Sequence, residues 1–368
     1  MLADAFADAF PVLREVAYLN AGTAGPLPTV AADAIAAVAR TGAHEGRATG
    51  YYDHLVELTP RTRAAWGRLL GAPPGEIALT VGASDGIARA LALLDWQPGD
   101  HVVTSDEEHP GVEGPLGALI RRRGIDVTTA PWDDVAAAVR PTTKLVVVSH
   151  VSWLRGAVAA LDAIGAAGAP VVVDAAQSAG AIPVDLTELR RHGVVAYAAA
   201  GQKWTCGPVG TGALWVDPSW APDGGAGVWP TYGNLADPHG GLGAPPWPDA
   251  RRLDAPSLSV ELLAGGLAAL DALEGLGWET IHREAVERAA RLAERLAAAG
   301  ADVAPRGPST LVAWRHADEA AAAAFVATAL EQQIVVRSFD GEPWVRAAVG
   351  AWTSDEHLDR LVALVARG

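Results

Sequence analysis

PVVVDAAQSAG (170–180) and VVAYAAAGQKWTCGPVGTGALWV (194–216) carry the clearest strand signals in the chain. VVV ahead of Asp174 and VVAYAAA ahead of Gly201 are nearly all apolar, the pattern of strands covered on both faces. GALWV (212–216) is a third such run. Working outward, EIALTV (76–81), HVVTS (101–105), DVTTA (126–130) and KLVVVSH (144–150) complete a set of seven. Ala/Leu-rich helical patterns separate them. Strands alternating with helices imply βαβ units, hence an α/β protein with one seven-stranded, mostly parallel sheet.

Beyond this core, residues 218–256 are rich in Gly, Pro and Trp and show little periodicity. The stretch reads as a long ordered loop, because Trp229, Tyr232 and Trp247 call for burial. From Ser257 the pattern turns helical: SVELLAGGLAALDALEGLG, then IHREAVERAARLAERLAAAG, ended by Gly300. STLVAWR (309–315), IVVRSF (334–339) and WVRAAVGAW (344–352) are strand-like. The last helix follows Ser354, a good N-cap. The expected division is a large domain over 16–256, a small α+β domain over 257–368, and residues 1–15 packed on the latter.

Composition excludes several classes. Hydrophobic residues make up 50% of the 368 and charged residues 19%, enough apolar material for a large core. No apolar run reaches the ~18 residues of a membrane span. MLADAFADAF has no basic region of the secretory kind, so a cytoplasmic protein is expected. A net charge of −15 argues against non-specific nucleic-acid binding. Cys206 is the one cysteine, which excludes intrachain disulfides and CxxC metal sites.

Three constellations carry chemistry. Asp174 closes a buried strand where open α/β sheets bind ligands, and Lys203 follows the next strand among glycines. A buried carboxylate needs a cation, so the two form a structural ion pair or serve a cofactor. Pyridoxal 5'-phosphate (PLP) is one that needs both a Schiff-base lysine and a carboxylate at its ring nitrogen. In TVGASDGIARALALL a helix starts near Ser84 after a Gly turn. Its free N–H groups and the Ser84 hydroxyl make an anion cup, or Ser84 is an ordinary N-cap. His109, in SDEEHPGVEGP, follows the strand HVVTS and is either solvated or free to stack on a flat ring.

In this order, GASDG, EEHPGV, VVVDAAQSAGA and GQKWTCGPVGTGALWV resemble the class V aminotransferase family of fold-type-I PLP enzymes. That family includes cysteine desulfurases, isopenicillin N epimerase-like proteins and C–S lyases. The resemblance runs from YLNAGTAGPLP (18–28) to the C-terminal helix. It implies that Lys203 forms the Schiff base and moves the Cα proton, that Asp174 pairs with the pyridinium nitrogen, and that Gln177 reaches the ring's phenolic oxygen. His109 would stack on the ring, while Ala83, Ser84 and Gln202 would hold the phosphate. Ser257 would reach the phosphate of a partner subunit, which implies a homodimer with shared sites. Arg346 would bind the carboxylate of an amino-acid substrate, with Asn20, Gly22, Thr23 and Trp153 near the substrate mouth.

The departures carry weight too. Family members have Ser-x-His-Lys where this chain has Ala200-Gly201-Gln202-Lys203, which alters two phosphate contacts. They often have HVSN where this chain has HVSW, placing Trp153 at the asparagine's position. Trp153, Trp204, Trp344 and Trp352 either wall a substrate pocket or fill core space. A persulfide-forming desulfurase needs a cysteine in its C-terminal domain, and no cysteine follows Cys206. The resemblance therefore points to a β-eliminating C–S lyase on a cysteine-derived substrate. An aminotransferase or an amino-acid epimerase is the alternative.

Overall fold

The computed structural model describes residues 2–220 and 229–367. In chain order the strands are β1 (Ala17–Tyr18), β2 (Ile77–Thr80), β3 (His101–Ser105), β4 (Asp126–Ala130), β5 (Thr143–Ser149), β6 (Val171–Asp174) and β7 (Val194–Ala200). Then come β8 (Gly212–Val216), β9 (Asp302–Val303), β10 (Leu311–Arg315), β11 (Ile334–Val335), β12 (Arg337–Phe339) and β13 (Glu342–Ala348). The seven runs read from the sequence are β2 to β8, and they form one sheet in the order β2-β8-β7-β6-β5-β3-β4. Only β8 runs against its neighbours, β2 and β7. The other pairings are parallel. Alternation in β6 shows why the run is apolar throughout: Val171 and Val173 enter one core and Val172 the other.

A second sheet, β12-β13-β10-β9, is antiparallel throughout. IVVRSF breaks at Val336 into β11 and β12, which join different sheets. β11 pairs with β1, so the chain's first strand lies beside residues 334–335. Phe6 and Phe10 pack on Trp352, ring centroids 6.1 and 6.0 Å away. Ser354 caps the last helix, accepting from His357 N at 3.2 Å.

The expected boundary at residue 257 falls ahead of a helix that packs with the large sheet. Val260–Leu276 lies on the helices Thr29–Glu45 and Thr49–Leu70. Its Val260, Leu263, Leu267 and Leu270 share a core with Val171 and Val173. That helix is apolar on most of its circumference, so it is an interior element. The next helix, Trp278–Ala298, places Ala289, Leu292 and Leu296 against Val312, Trp314 and Val345 of the second sheet.

Within 218–256, residues 221–228 lie outside the described residues. Trp229 is 88% exposed and Tyr232 71%, against the expectation of burial, while Trp247 is half-buried beneath the Arg251 guanidinium. Polar ties order this stretch instead. Asn234 Nδ2 donates to the carbonyls of Arg251 (3.1 Å) and Asp254 (3.0 Å), and Asp254 holds buried Arg63 in a two-pronged pair at 2.9 and 2.7 Å. Among the described residues no helix is long and apolar enough to cross a membrane.

Candidate active site

The carboxyl ends of β6 and β7, the start of the helix Ala83–Ala92 and the strands β12 and β13 enclose a cavity of about 410 Å3. Gly22, Thr23, Ala83, Ser84, His109, Trp153, Asp174, Gln177, Gln202, Lys203 and Arg346 line it. Asn20 and Ser257 do not. Asn20 Oδ1 accepts from Thr23 Oγ1 at 2.8 Å and so braces the lining from outside. Ser257 is exposed on a separate groove of about 730 Å3, beside Tyr52, Val56 and Tyr232.

Lys203 lies in the short connection from β7 to β8. Its loop is tied by Gly25 N to Gln202 O (2.7 Å), Cys206 N to Lys203 O (3.2 Å) and Thr205 Oγ1 to Gly201 O (2.7 Å). Gly25 is required for this approach, since a Cβ there would sit 2.2 Å from Lys203 O. Burial pushes the Lys203 amine down to about 8; Asp174 opposes this, and Arg346 and Arg337 add to it. Asp174 Oδ1 accepts from Ala176 N at 2.8 Å. Among the described residues no ion pair within 4.0 Å joins Asp174 to Lys203, so the structural-pair reading has no contact behind it.

His109 caps the helix Pro110–Arg123, its Nδ1 accepting from Gly111 N at 3.0 Å. The neutral ring therefore carries its proton on Nε2. Burial lowers its pKa, and the Lys203 charge adds to that. Beneath this turn lies Glu108, a carboxyl the sequence reading passed over. It accepts from Ser105 Oγ (2.5 Å), Ser149 N (3.0 Å) and Ser149 Oγ (2.6 Å). Burial pushes it up to about 7, with Asp174's charge adding, while those hydrogen bonds pull the other way. Gln177 is fixed at both ends of its amide, Nε2 donating to Gly22 O (2.8 Å) and Oε1 accepting from Trp204 Nε1 (3.1 Å).

The helix Ala83–Ala92 starts at Gly82 with no side-chain cap, leaving its first amides free at the cavity wall. Buried Gln202 Oε1 has no hydrogen-bond partner. Asp85 is engaged elsewhere, accepting from Val81 N (3.2 Å) and Arg89 Nε (2.9 Å). An uncapped helix start, a hydroxyl and an unengaged amide fit a phosphate. A strand-end carboxylate and a half-buried lysine of lowered pKa fit the ring that phosphate would carry.

On the opposite wall Arg346 is 1% exposed. Its Nη1 donates to Trp153 O, while Nε and Nη2 are buried without partners. Burial pushes its pKa down to about 9, and Arg337 adds to this. Arg337 also lines the cavity and was missed from the sequence. It stands opposite Arg346 in register, and its Nη1 donates to Thr23 Oγ1 at 3.0 Å. Both guanidinium carbons lie over the Phe339 ring, 5.1 and 5.2 Å from its centroid.

The tryptophans divide. Trp153 belongs to the wall, edge-on to His109 (5.3 Å) and to Phe339 (4.9 Å). Trp204 and Trp352 are core, and Trp344 lies outside the cavity lining. Cys206 is fully buried at φ +54°, and burial pushes its thiol pKa up.

Comparisons with known proteins agree with this geometry. The model of the family "Aminotransferase class-V" matches residues 17–343. A probable cysteine desulfurase of Methanothermobacter thermautotrophicus is 34% identical over 56% of this chain and 54% of its own length. Isopenicillin N epimerase of Streptomyces clavuligerus is 28% identical over 55% and 54%. The aligned part thus spans about half the length of these curated relatives. Over nearly the whole chain, the cystine C–S lyase C-DES, solved with its reaction product cysteine persulfide, superposes with a TM-score of 0.87. It is 27% identical and covers 97% of this chain and 99% of its own. A C-DES mutant with glycine covalently linked to the PLP cofactor gives 0.89 at 28% identity, covering 98% of each chain. Because the family model covers residues 17–343 of this seven-stranded α/β chain, the chain belongs to the class V aminotransferase family, with pyridoxal 5'-phosphate as its cofactor.

Proposed function

We propose that this protein is a PLP-dependent lyase that eliminates a sulfur substituent from the β-carbon of a cysteine-derived amino acid. The carrying observation is Arg346: buried across the cavity from Lys203, with Nε and Nη2 both unpartnered. Those two nitrogens form the side-on fork that takes a carboxylate in bidentate fashion. When bound, PLP supplies the carbonyl that Lys203 and the substrate amine engage, and a sink for charge at Cα. Lys203, neutral above about pH 8, removes the Cα proton. Arg346 fixes the rotation that turns this proton toward it. Asp174 would hold the ring nitrogen in its protonated form, Gln177 would meet the phenolic oxygen, and Ala83, Ser84 and Gln202 would hold the phosphate. His109 and Trp153 cover one side and keep water out.

The full-length likeness to C-DES supports elimination, because that protein is described as a cystine C–S lyase. Cys206 stands apart from the cavity lining and is fully buried, so no persulfide is assigned to this chain's own thiol. The active form is taken to be a homodimer in which Ser257 completes the partner's phosphate site. Incubation with cystine or S-substituted cysteines tests the reading. Pyruvate, ammonia and a thiol or persulfide should appear in equal amounts. Pyridoxamine phosphate with an intact keto acid would make the protein an aminotransferase, and racemised substrate alone an epimerase. Arg346→Ala should lower kcat/KM by roughly two orders of magnitude or more with PLP loading intact.

A further inference from the structure

We propose that Glu107 is a positioning residue for Arg346, acting through the turn that carries Trp153; this rests on Arg346 being the carboxylate anchor. Glu107 lies outside the cavity lining, two residues before His109. Its carboxylate grips the turn on both sides of Trp153, accepting from Ser152 Oγ and from Arg155 Nε, the latter at 2.5 Å. Arg155 N in turn donates to Ser152 Oγ at 3.3 Å. Trp153, held between them, offers its carbonyl to Arg346 Nη1. Among the described residues that is the one side-chain hydrogen bond Arg346 makes, since Nε and Nη2 are unpartnered. The Trp153 carbonyl, together with the Phe339 ring 5.1 Å from the guanidinium carbon, therefore sets the orientation of the free Nε–Nη2 edge.

The grip is strong enough to matter. The Arg155 and Glu107 side chains are only 20% and 16% exposed, so water screens the pair far less than a surface ion pair. Two backbone hydrogen bonds also close the turn, Ser152 N to Ala157 O at 2.8 Å and Gly156 N to Ser152 O at 3.0 Å, and Glu107 adds a side-chain anchor on either side of Trp153. Arg155 reaches Asp133 at 3.8 Å and Pro305 O at 3.5 Å, and Gly156 O accepts from Ser309 Oγ at 2.7 Å. The same carboxylate fixes the ring contact, because Trp153 meets His109 edge-on at 5.3 Å from a loop that begins at Glu107. One side chain thus sets the spacing between the cofactor face and the substrate anchor.

The test uses Glu107→Ala, Glu107→Gln and Arg346→Ala in the full chain. Glycine serves as probe, because it has an amine and a carboxylate but no β-substituent to eliminate. Its Kd is read from the absorbance of the bound cofactor, and KM and kcat are measured with cystine. Glu107→Ala should weaken glycine binding and raise KM by about tenfold, with kcat within a factor of two. Glu107→Gln, which still accepts from Ser152, should recover part of that loss. In cofactor-free protein, phenylglyoxal should label Arg346 faster in Glu107→Ala than in wild type, read by peptide mass spectrometry. An unchanged glycine Kd and unchanged Arg346 labelling in Glu107→Ala would overturn the proposal, as would a fall in kcat alone. If Glu107→Ala does not fold, a wild-type Kd and labelling rate in Glu107→Gln would overturn it equally. An Arg346→Ala protein with wild-type glycine affinity would instead overturn the anchor reading itself.

Discussion

Lys203 shows how far one residue's surroundings reset its chemistry. A free lysine amine is mostly protonated until pH exceeds about 10. Burial lowers this one to about 8, so the neutral nucleophile prevails from about pH 8 upward. The rate at which cofactor-free protein takes up PLP should climb with pH up to about 8 and then level off; a rate flat from pH 6.5 to 9 would contradict the assignment. Cys206 is the opposite case, a thiol that burial keeps protonated and away from the cavity. Cys206→Ser should keep substantial turnover but lose about 1–3 kcal/mol of stability, because a hydroxyl is left buried there. Full loss of activity in a folded, PLP-loaded mutant would restore the thiol as sulfur acceptor.

At the scale of elements, two helix starts meet at the cavity wall proposed to hold the phosphate. Ser84 opens one and His109 caps the other, and Gly111 lets them approach: a Cβ there would lie 2.2 Å from Ser84 Oγ and 3.2 Å from His109 Nδ1. Gly111→Ala should weaken PLP binding by roughly tenfold or more, the scale of a lost charge-assisted hydrogen bond, measured by titrating the cofactor-free protein. The central strands were legible because they are buried on both faces and therefore mostly apolar, as Val171 to Val173 show. Asp174 and Lys203 were legible because polar groups break such runs at their carboxyl ends. Arg337 was not. Its importance comes from standing opposite Arg346 in register, and a pairing between strands has no local signature. Trp229 and Tyr232 misled for a related reason: aromatic bulk favours burial, but the loop's order comes from Asn234 and Asp254.

At the scale of the molecule, the cavity is a joint structure. The large sheet supplies Asp174 and Lys203, and the second sheet supplies Arg337 and Arg346. The homodimer reading adds a third contributor. Tyr52 and Val56 are 61% and 73% exposed on the groove that Ser257 borders. Val56→Asp should lower the self-association constant in sedimentation and, with Ser257 withdrawn from its partner, loosen PLP; a wild-type protein that sediments as a monomer at all concentrations would sink this.

The pairing of β1 with β11 has a consequence for the order of synthesis. Ala17 leaves the ribosome long before its partner Ile334. At translation speeds of about 5–20 residues per second, that strand waits roughly 15–60 s for its neighbour. Ser84, Asp174 and Lys203 all emerge within that interval, and Arg337 and Arg346 only after it. The growing chain therefore holds the cavity residues of its large sheet, the ones proposed for the cofactor, before it holds either arginine proposed for the substrate.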